Sequence, residues 1–165
     1  MDKKYMFMLA NHIVGTALSL LMLIFCASNF ITGNENLTGI NLIIAPNGDP
    51  IASTISIAIV FMITVLAVMG IVSFCLLLAD FDIIENQKTL DMLVKFQLIL
   101  ALVLVVLTFV TLICLKLKTT ELNRGESSQN TLGIGGVINF VFSLVLLAQS
   151  FALRYIDKIN FEKIK

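Results

Sequence analysis

FQLILALVLVVLTFVTLICL, residues 96–115, contains no Asp, Glu, Lys or Arg. At about 1.5 Å of rise per residue, a helix of this length covers about 30 Å, the thickness of a bilayer's hydrocarbon core. A helix in water carries a charge on its outer face every turn or two. This one has no such face. Residues 5–34, 50–79 and 127–153 are equally free of charge. Across the chain 58% of residues are apolar and 13% charged, against about 45–50% and about 25% in soluble domains. Buried helices of a large soluble protein would need polar sequence to cover them, and 165 residues supply too little. The expectation is an all-α membrane protein: one antiparallel bundle of four transmembrane helices occupying residues 1–165.

The spans are expected at about 5–30, 51–79, 90–117 and 134–153. Thr89 reads as a cap for the third, with Asp91 in its first turn. Asp91 and Lys95, four apart, are spaced to pair on that helix. The linker of residues 80–88 is short, so the second and third spans form an antiparallel hairpin. The run of residues 6–25 is longer than the about 7–15 residues of a signal-peptide core, and Phe25 is no lipoprotein-type neighbour for Cys26, so the first helix is expected to be retained.

Basic residues flanking spans favour the cytoplasm. With the N-terminus inside, the inner segments hold Lys3, Lys4, Lys88, Lys95, Arg154, Lys158, Lys163 and Lys165, and the outer ones only Lys116, Lys118 and Arg124. Both termini are therefore expected on the cytoplasmic side of the cell membrane. In the first outer loop, residues 40–45 favour β structure and residues 46–50 break it, so a short strand is expected there. Its partner is expected from residues 119–130. Asn36-Leu37-Thr38 fits a glycosylation acceptor, which matters only in a eukaryotic secretory pathway.

Zero net charge gives no field for nucleic acid. No carboxylate, Lys or Arg lies deep in a span and no span is broken by Pro, so the marks of pumps and ion-coupled carriers are missing. Small and polar residues instead form stripes at helical spacing. Met8, His12, Gly15, Ser19, Met22, Cys26 and Asn29 mark the first helix. Gln97, Ala101, Leu104, Thr108 and Thr111 mark the third; Gly136, Asn139, Ser143, Leu146 and Ser150 mark the fourth. The second has a looser face of Thr64, Ala67, Gly70 and Ser73. Such stripes are where membrane helices approach closely. The packing stripe is therefore read as Gly15, Ser19, Ala67, Gly70, Ala101, Thr108, Gly136, Asn139 and Ser143.

His12 is the one histidine. An interhelical polar cluster is expected at its level from Asn11, His12, Ser73, Gln97 and Gln149, with the imidazole bonded to Gln149 or Ser73. One His without neighbouring Cys or carboxylate is poor ground for a metal. Cys26, Cys75 and Cys114 are read as free thiols, although Cys26 and Cys114 both fall toward the outer side. Gly133-Ile134-Gly135-Gly136 lacks the Lys and preceding strand of a phosphate loop and reads as flexibility at the membrane surface. No nucleophile–base pair, cofactor motif or metal spacing is present, so catalytic, cofactor-binding and metal residues are all expected to be none.

Lysines outnumber arginines nine to two and isoleucine is abundant, as in AT-rich genomes. With the Asp2-Lys3-Lys4 start, Leu37-Thr38-Gly39 in the first outer loop and short tails, the whole layout resembles the small tetraspan membrane proteins of AT-rich bacteria such as Firmicutes and Mollicutes. Claudin-like and MARVEL-type tetraspans share the four-helix plan. The claudin first loop, with Trp and two cysteines, is absent here, so that barrier role does not carry over. The resemblance implies a four-helix membrane bundle and assigns no activity. The expected function is a non-enzymatic membrane scaffold or accessory subunit that contacts the bilayer and either other membrane proteins or a second copy. The alternative is a small passive channel, efflux component or transporter subunit.

Overall fold

The structure, a computed structural model, describes residues 3–34, 36–44, 49–81, 83, 87–124 and 129–156. In chain order the elements are α1 (Lys3–Phe25), β1 (Asn29–Thr32), β2 (Leu37–Thr38), α2 (Gly39–Ile44), α3 (Pro50–Ala79), α4 (Gln87–Leu122), β3 (Thr131–Leu132) and α5 (Ile134–Arg154). Four helices, α1, α3, α4 and α5, are long and apolar enough to cross a membrane. Each packs on its neighbour in sequence, and α1 closes the ring against α5. The bundle's outer surface is itself apolar: Ile24, Ile57, Phe61, Ile71, Val106 and Phe109 are all exposed, as a hydrocarbon solvent requires and water does not tolerate.

Local chemistry sets the helix ends. Asp49 caps α3, its Oδ1 accepting from the Ile51 N–H at 2.9 Å, and Pro50 occupies the first helical position, where its missing N–H costs nothing. The α3–α4 hairpin and the Asp91–Lys95 ion pair, at 2.5 Å, are present as expected. The third span is longer than expected. Thr89 lies inside its first turn rather than capping it, and the far end continues to Leu122. At 36 residues α4 is about 54 Å long. Its last turns are held by Lys118, whose Nζ reaches Asp49 Oδ2 at 2.5 Å and Glu121 Oε2 at 3.1 Å.

The loop between α1 and α3 departs most from expectation. The first helix ends at Phe25 instead of running to residue 30. Ala27 and Ser28 N–H groups fall back on the carbonyls of Ile24 and Phe25, tightening the last turn, and Ser28 Oγ also bonds Phe25 O at 2.7 Å. Residues 29–32 then form the centre strand of a three-stranded antiparallel sheet ordered β2-β1-β3, with Ile31 opposite Leu37 on one side and Leu132 on the other. Phe30 and Ile31 of this strand are both fully buried. Buried backbone that leaves a helix must find partners, and the sheet supplies them. The expected strand over 40–45 is instead the helix α2, as far as Ile44; Ala45 lies outside the described residues. Thr38 Oγ1 accepts the Asn41 N–H at 3.1 Å as a helix cap, and Gly39 and Leu42, three apart, are the buried pair. β-Branched composition yielded to that cap and to burial on α3.

Candidate functional site

α1 begins at the end of the bundle where α3 finishes, so the inward stripe of α1 meets the C-terminus of α3. His12, 2% exposed, lies on that stripe. Its Nδ1 is 2.6 Å from Oδ2 of Asp80, the residue that caps α3. A carboxylate only accepts, so Nδ1 carries the hydrogen and donates it. Tyr5, two turns earlier on α1, donates its hydroxyl to the Asp80 carbonyl at 2.8 Å. This corrects the expected partner of His12. Neither Gln149 nor Ser73 bonds it, and a carboxylate is at hand after all. Asp80 reads as a loop residue in the sequence, yet its side chain is 5% exposed. The overlooked signal was its position: an acid closing a helix C-terminus opposes the helix dipole and calls for a counter-group.

The other expected cluster members sit one level deeper. Gln97 Nε2 donates to Ser73 Oγ at 3.2 Å, and Gln149 Nε2 donates to the Asn11 carbonyl. Asn11 thus joins through its backbone; its own amide turns back to Phe7 O at 2.8 Å. Gly15 makes this level possible, because a Cβ there would lie 2.5 Å from Gln149 Nε2 and 3.2 Å from Ser73 Oγ. Higher still, Thr108 Oγ1 and Ser143 Oγ are 2.9 Å apart, and Asn139 Nδ2 points to Cys26 Sγ at 3.7 Å. The two polar levels are separated by Ala101 and Leu104 on α4 and Leu146 on α5, all fully buried, as are Leu66 and Met69 on α3.

Of the expected packing stripe, Gly15, Ser19, Ala101, Thr108, Gly136, Asn139 and Ser143 are buried in the interior. Ala67 and Gly70 are not. α3 turns Ile55, Ile59, Met62, Leu66 and Met69 inward, leaving Ala67 exposed and Gly70 half-buried. A helix apolar on every side has no periodic mark for its inward face, and here long side chains filled the core better than small ones. The glycines opening α5 serve close approach rather than flexibility, since a Cβ on Gly133 would lie 2.3 Å from Asn29 O. Cys26, Cys75 and Cys114 are all free thiols.

Two concavities among the described residues bear on function. A cavity of about 620 Å³ sits among the helix ends that carry His12 and Asp80, and Lys4, Tyr5, Asp91 and Arg154 also line it. Arg154 Nη1 meets Asp91 Oδ1 there at 3.0 Å. A groove of about 320 Å³ runs between α1 and α3, lined by Ser19, Ala67 and Gly70 together with Leu20, Leu23 and Phe74. Among the described residues, no three His, Cys, Asp or Glu side chains converge as metal ligands would.

No protein-family model, curated protein or solved structure matches this chain. The tetraspan layout rests on its own four long apolar helices.

Proposed function

We propose that the protein is a multi-pass component of the cell membrane, with the start of α1 and the end of α5 in the cytoplasm, and that it works as a non-enzymatic scaffold or accessory subunit. The observation that carries this reading is the groove between α1 and α3. Ala67 is exposed in it and Gly70 half-buried, over the fully buried Ser19, and a Cβ on Gly70 would meet only Ser19 Cβ, at 3.7 Å. Small residues let two membrane helices come close enough for extensive van der Waals contact. In this bundle Ala67 and Gly70 are left open rather than consumed in the core. The occupant is a transmembrane helix of another membrane protein or of a second copy. The orientation rests on the eight inner against three outer basic residues.

The channel alternative is disfavoured by the fully buried layer of Leu66, Met69, Leu104 and Leu146, which closes the bundle between its polar levels. Site-directed photo-crosslinking in the native membrane tests the scaffold reading. A probe at position 67 should yield a protein adduct of discrete mass, abolished by Gly70→Phe. A probe at position 102, on the outward face of α4, should give none. Lipid adducts alone at both positions would overturn the assignment.

A further inference from the structure

We propose that the 620 Å³ cavity among the helix ends holds a phosphate ester with an apolar tail, the phosphate on Arg154 and Lys4 and the tail on the apolar wall. The proposal rests on the membrane placement given above and on three observations. The first is depth. Lys95 is the charged residue bordering the charge-free run of residues 96–115, and its ammonium turns back to Asp91 at 2.5 Å. Asp91 lies four residues before it, about 6 Å along α4. The headgroup layer adds about 5–7 Å to each side of the hydrocarbon core. Asp91, and the Arg154 guanidinium bonded to it at 3.0 Å, therefore stand at the level of lipid phosphates.

The second is charge. Among the described residues, Lys4, Arg154, Asp80 and Asp91 line the cavity, and Lys95 joins them through Asp91. Three cations thus stand against two carboxylates, a positive surplus in either state of His12. Neither carboxylate guards the site strongly: Asp91 is shared by Lys95 and Arg154, and Asp80 is withdrawn, its side chain 5% exposed against His12. Arg154 is partly exposed and gives Asp91 only a bond from Nη1, whereas a guanidinium has a fork of donors that matches phosphate oxygens two at a time. The third is the wall, formed by Met8, Leu76, Leu90, Val94, Leu153 and Ile156. A bare phosphate would leave this apolar surface uncovered, and a tail covers it. The volume falls within the about 300–1,000 Å³ typical of small-molecule sites, which combine such walls with a few convergent polar groups.

The full chain in detergent micelles is titrated with tritiated oleoyl lysophosphatidate. Two unlabelled competitors separate its parts: monoolein keeps the tail and glycerol but lacks the phosphate, and glycerol phosphate lacks the tail. Binding should saturate, and neither competitor should displace the probe over the range in which unlabelled lysophosphatidate does. Arg154→Gln should weaken binding about tenfold, the worth of one charge-assisted hydrogen bond. Asp91→Asn releases the guanidinium from its carboxylate and should tighten binding about threefold, a gain that damage to the fold would not produce. Lys116→Gln, at the opposite end of α4, should change nothing. Displacement by monoolein would mean apolar filling, displacement by glycerol phosphate a site for soluble phosphates, and equal weakening by Lys116→Gln bulk attraction to positive charge. Each of these, or the absence of saturable binding, overturns the proposal. The membrane placement is read separately: a chain extracted from membranes by alkaline carbonate overturns the placement, whereas one that is retained and does not bind overturns the site alone.

Discussion

Asp80 Oδ2 lies 2.6 Å from His12 Nδ1, and with this contact the C-terminus of α3 is fastened to the first half of α1 across 68 positions of sequence. The carboxylate sits at the helix end where the dipole is least welcoming to negative charge. Two α1 groups compensate: the imidazole on the carboxylate, and the Tyr5 hydroxyl on the Asp80 carbonyl. Both side chains of the pair are within 5% of full burial, so each is costly without the other.

His12→Leu should therefore destabilise the bundle by about 3 kcal/mol, because it strands a buried carboxylate. Asp80→Leu should cost less, since a neutral imidazole is easier to leave unpaired. The double variant His12→Leu/Asp80→Leu should recover most of the larger loss. Unfolding in mixed micelles measures all four proteins, and single losses that simply add would show that the two residues do not act as a pair.

Gly15 and Gly70 should respond oppositely to the same added methyl. Gly15→Ala drives Gln149 off the Asn11 carbonyl and should cost about 1 kcal/mol, the net value of a buried hydrogen bond. Gln149→Ala in the same chain should remove that penalty, because the obstructing amide is gone. Gly70→Ala brings its methyl only into ordinary contact with Ser19 Cβ, at 3.7 Å, and should be neutral or stabilising by about 0.5–1 kcal/mol through helix propensity. Matching melting curves for the two single variants would contradict the assigned inner face of α1.

The Asp49–Lys118 pair makes one end of the bundle acid-sensitive. The Lys118 ammonium at 2.5 Å, and after it the Ile51 N–H, hold the Asp49 carboxyl below its ordinary 3.8. The folded protein thus binds this proton more weakly than the unfolded chain does. The resulting stability is present in full above 3.8 and is lost as pH falls through the lower, folded value. Lys118→Met should cost up to about 1 kcal/mol near neutrality, and its difference from wild type should shrink as pH falls below 3.8. A difference independent of pH would assign the effect to packing of the lysine stem instead.

Orientation is checked by labelling single cysteines in a background lacking Cys26, Cys75 and Cys114. A membrane-impermeant maleimide should modify a cysteine at position 120 in intact cells, and one at position 87 only after lysis. Reaction at 87 in intact cells would invert the arrangement.

Much of this architecture is written along the chain. Charge-free runs of 20 residues or more locate the helices because the hydrocarbon core has a fixed thickness. On α1, α4 and α5 the buried faces were legible too: His12, Gly15 and Ser19, Gln97 and Thr108, and Asn139 and Ser143 recur at helical spacing and lie inside the bundle. Such signals are local, needing only a period and a solvent. The tertiary structure decided what no period encodes. α3 is apolar all round, so only its neighbours could choose Met62 and Leu66 over Ala67 and Gly70 as the inward side. Residues 39–44 have strand-like composition, yet a cap from Thr38 and burial on α3 made them helical. His12 found its partner at the far end of another helix, because a buried polar group is matched by whatever packing brings within hydrogen-bond reach, and that reach is set by the bundle rather than by distance along the chain.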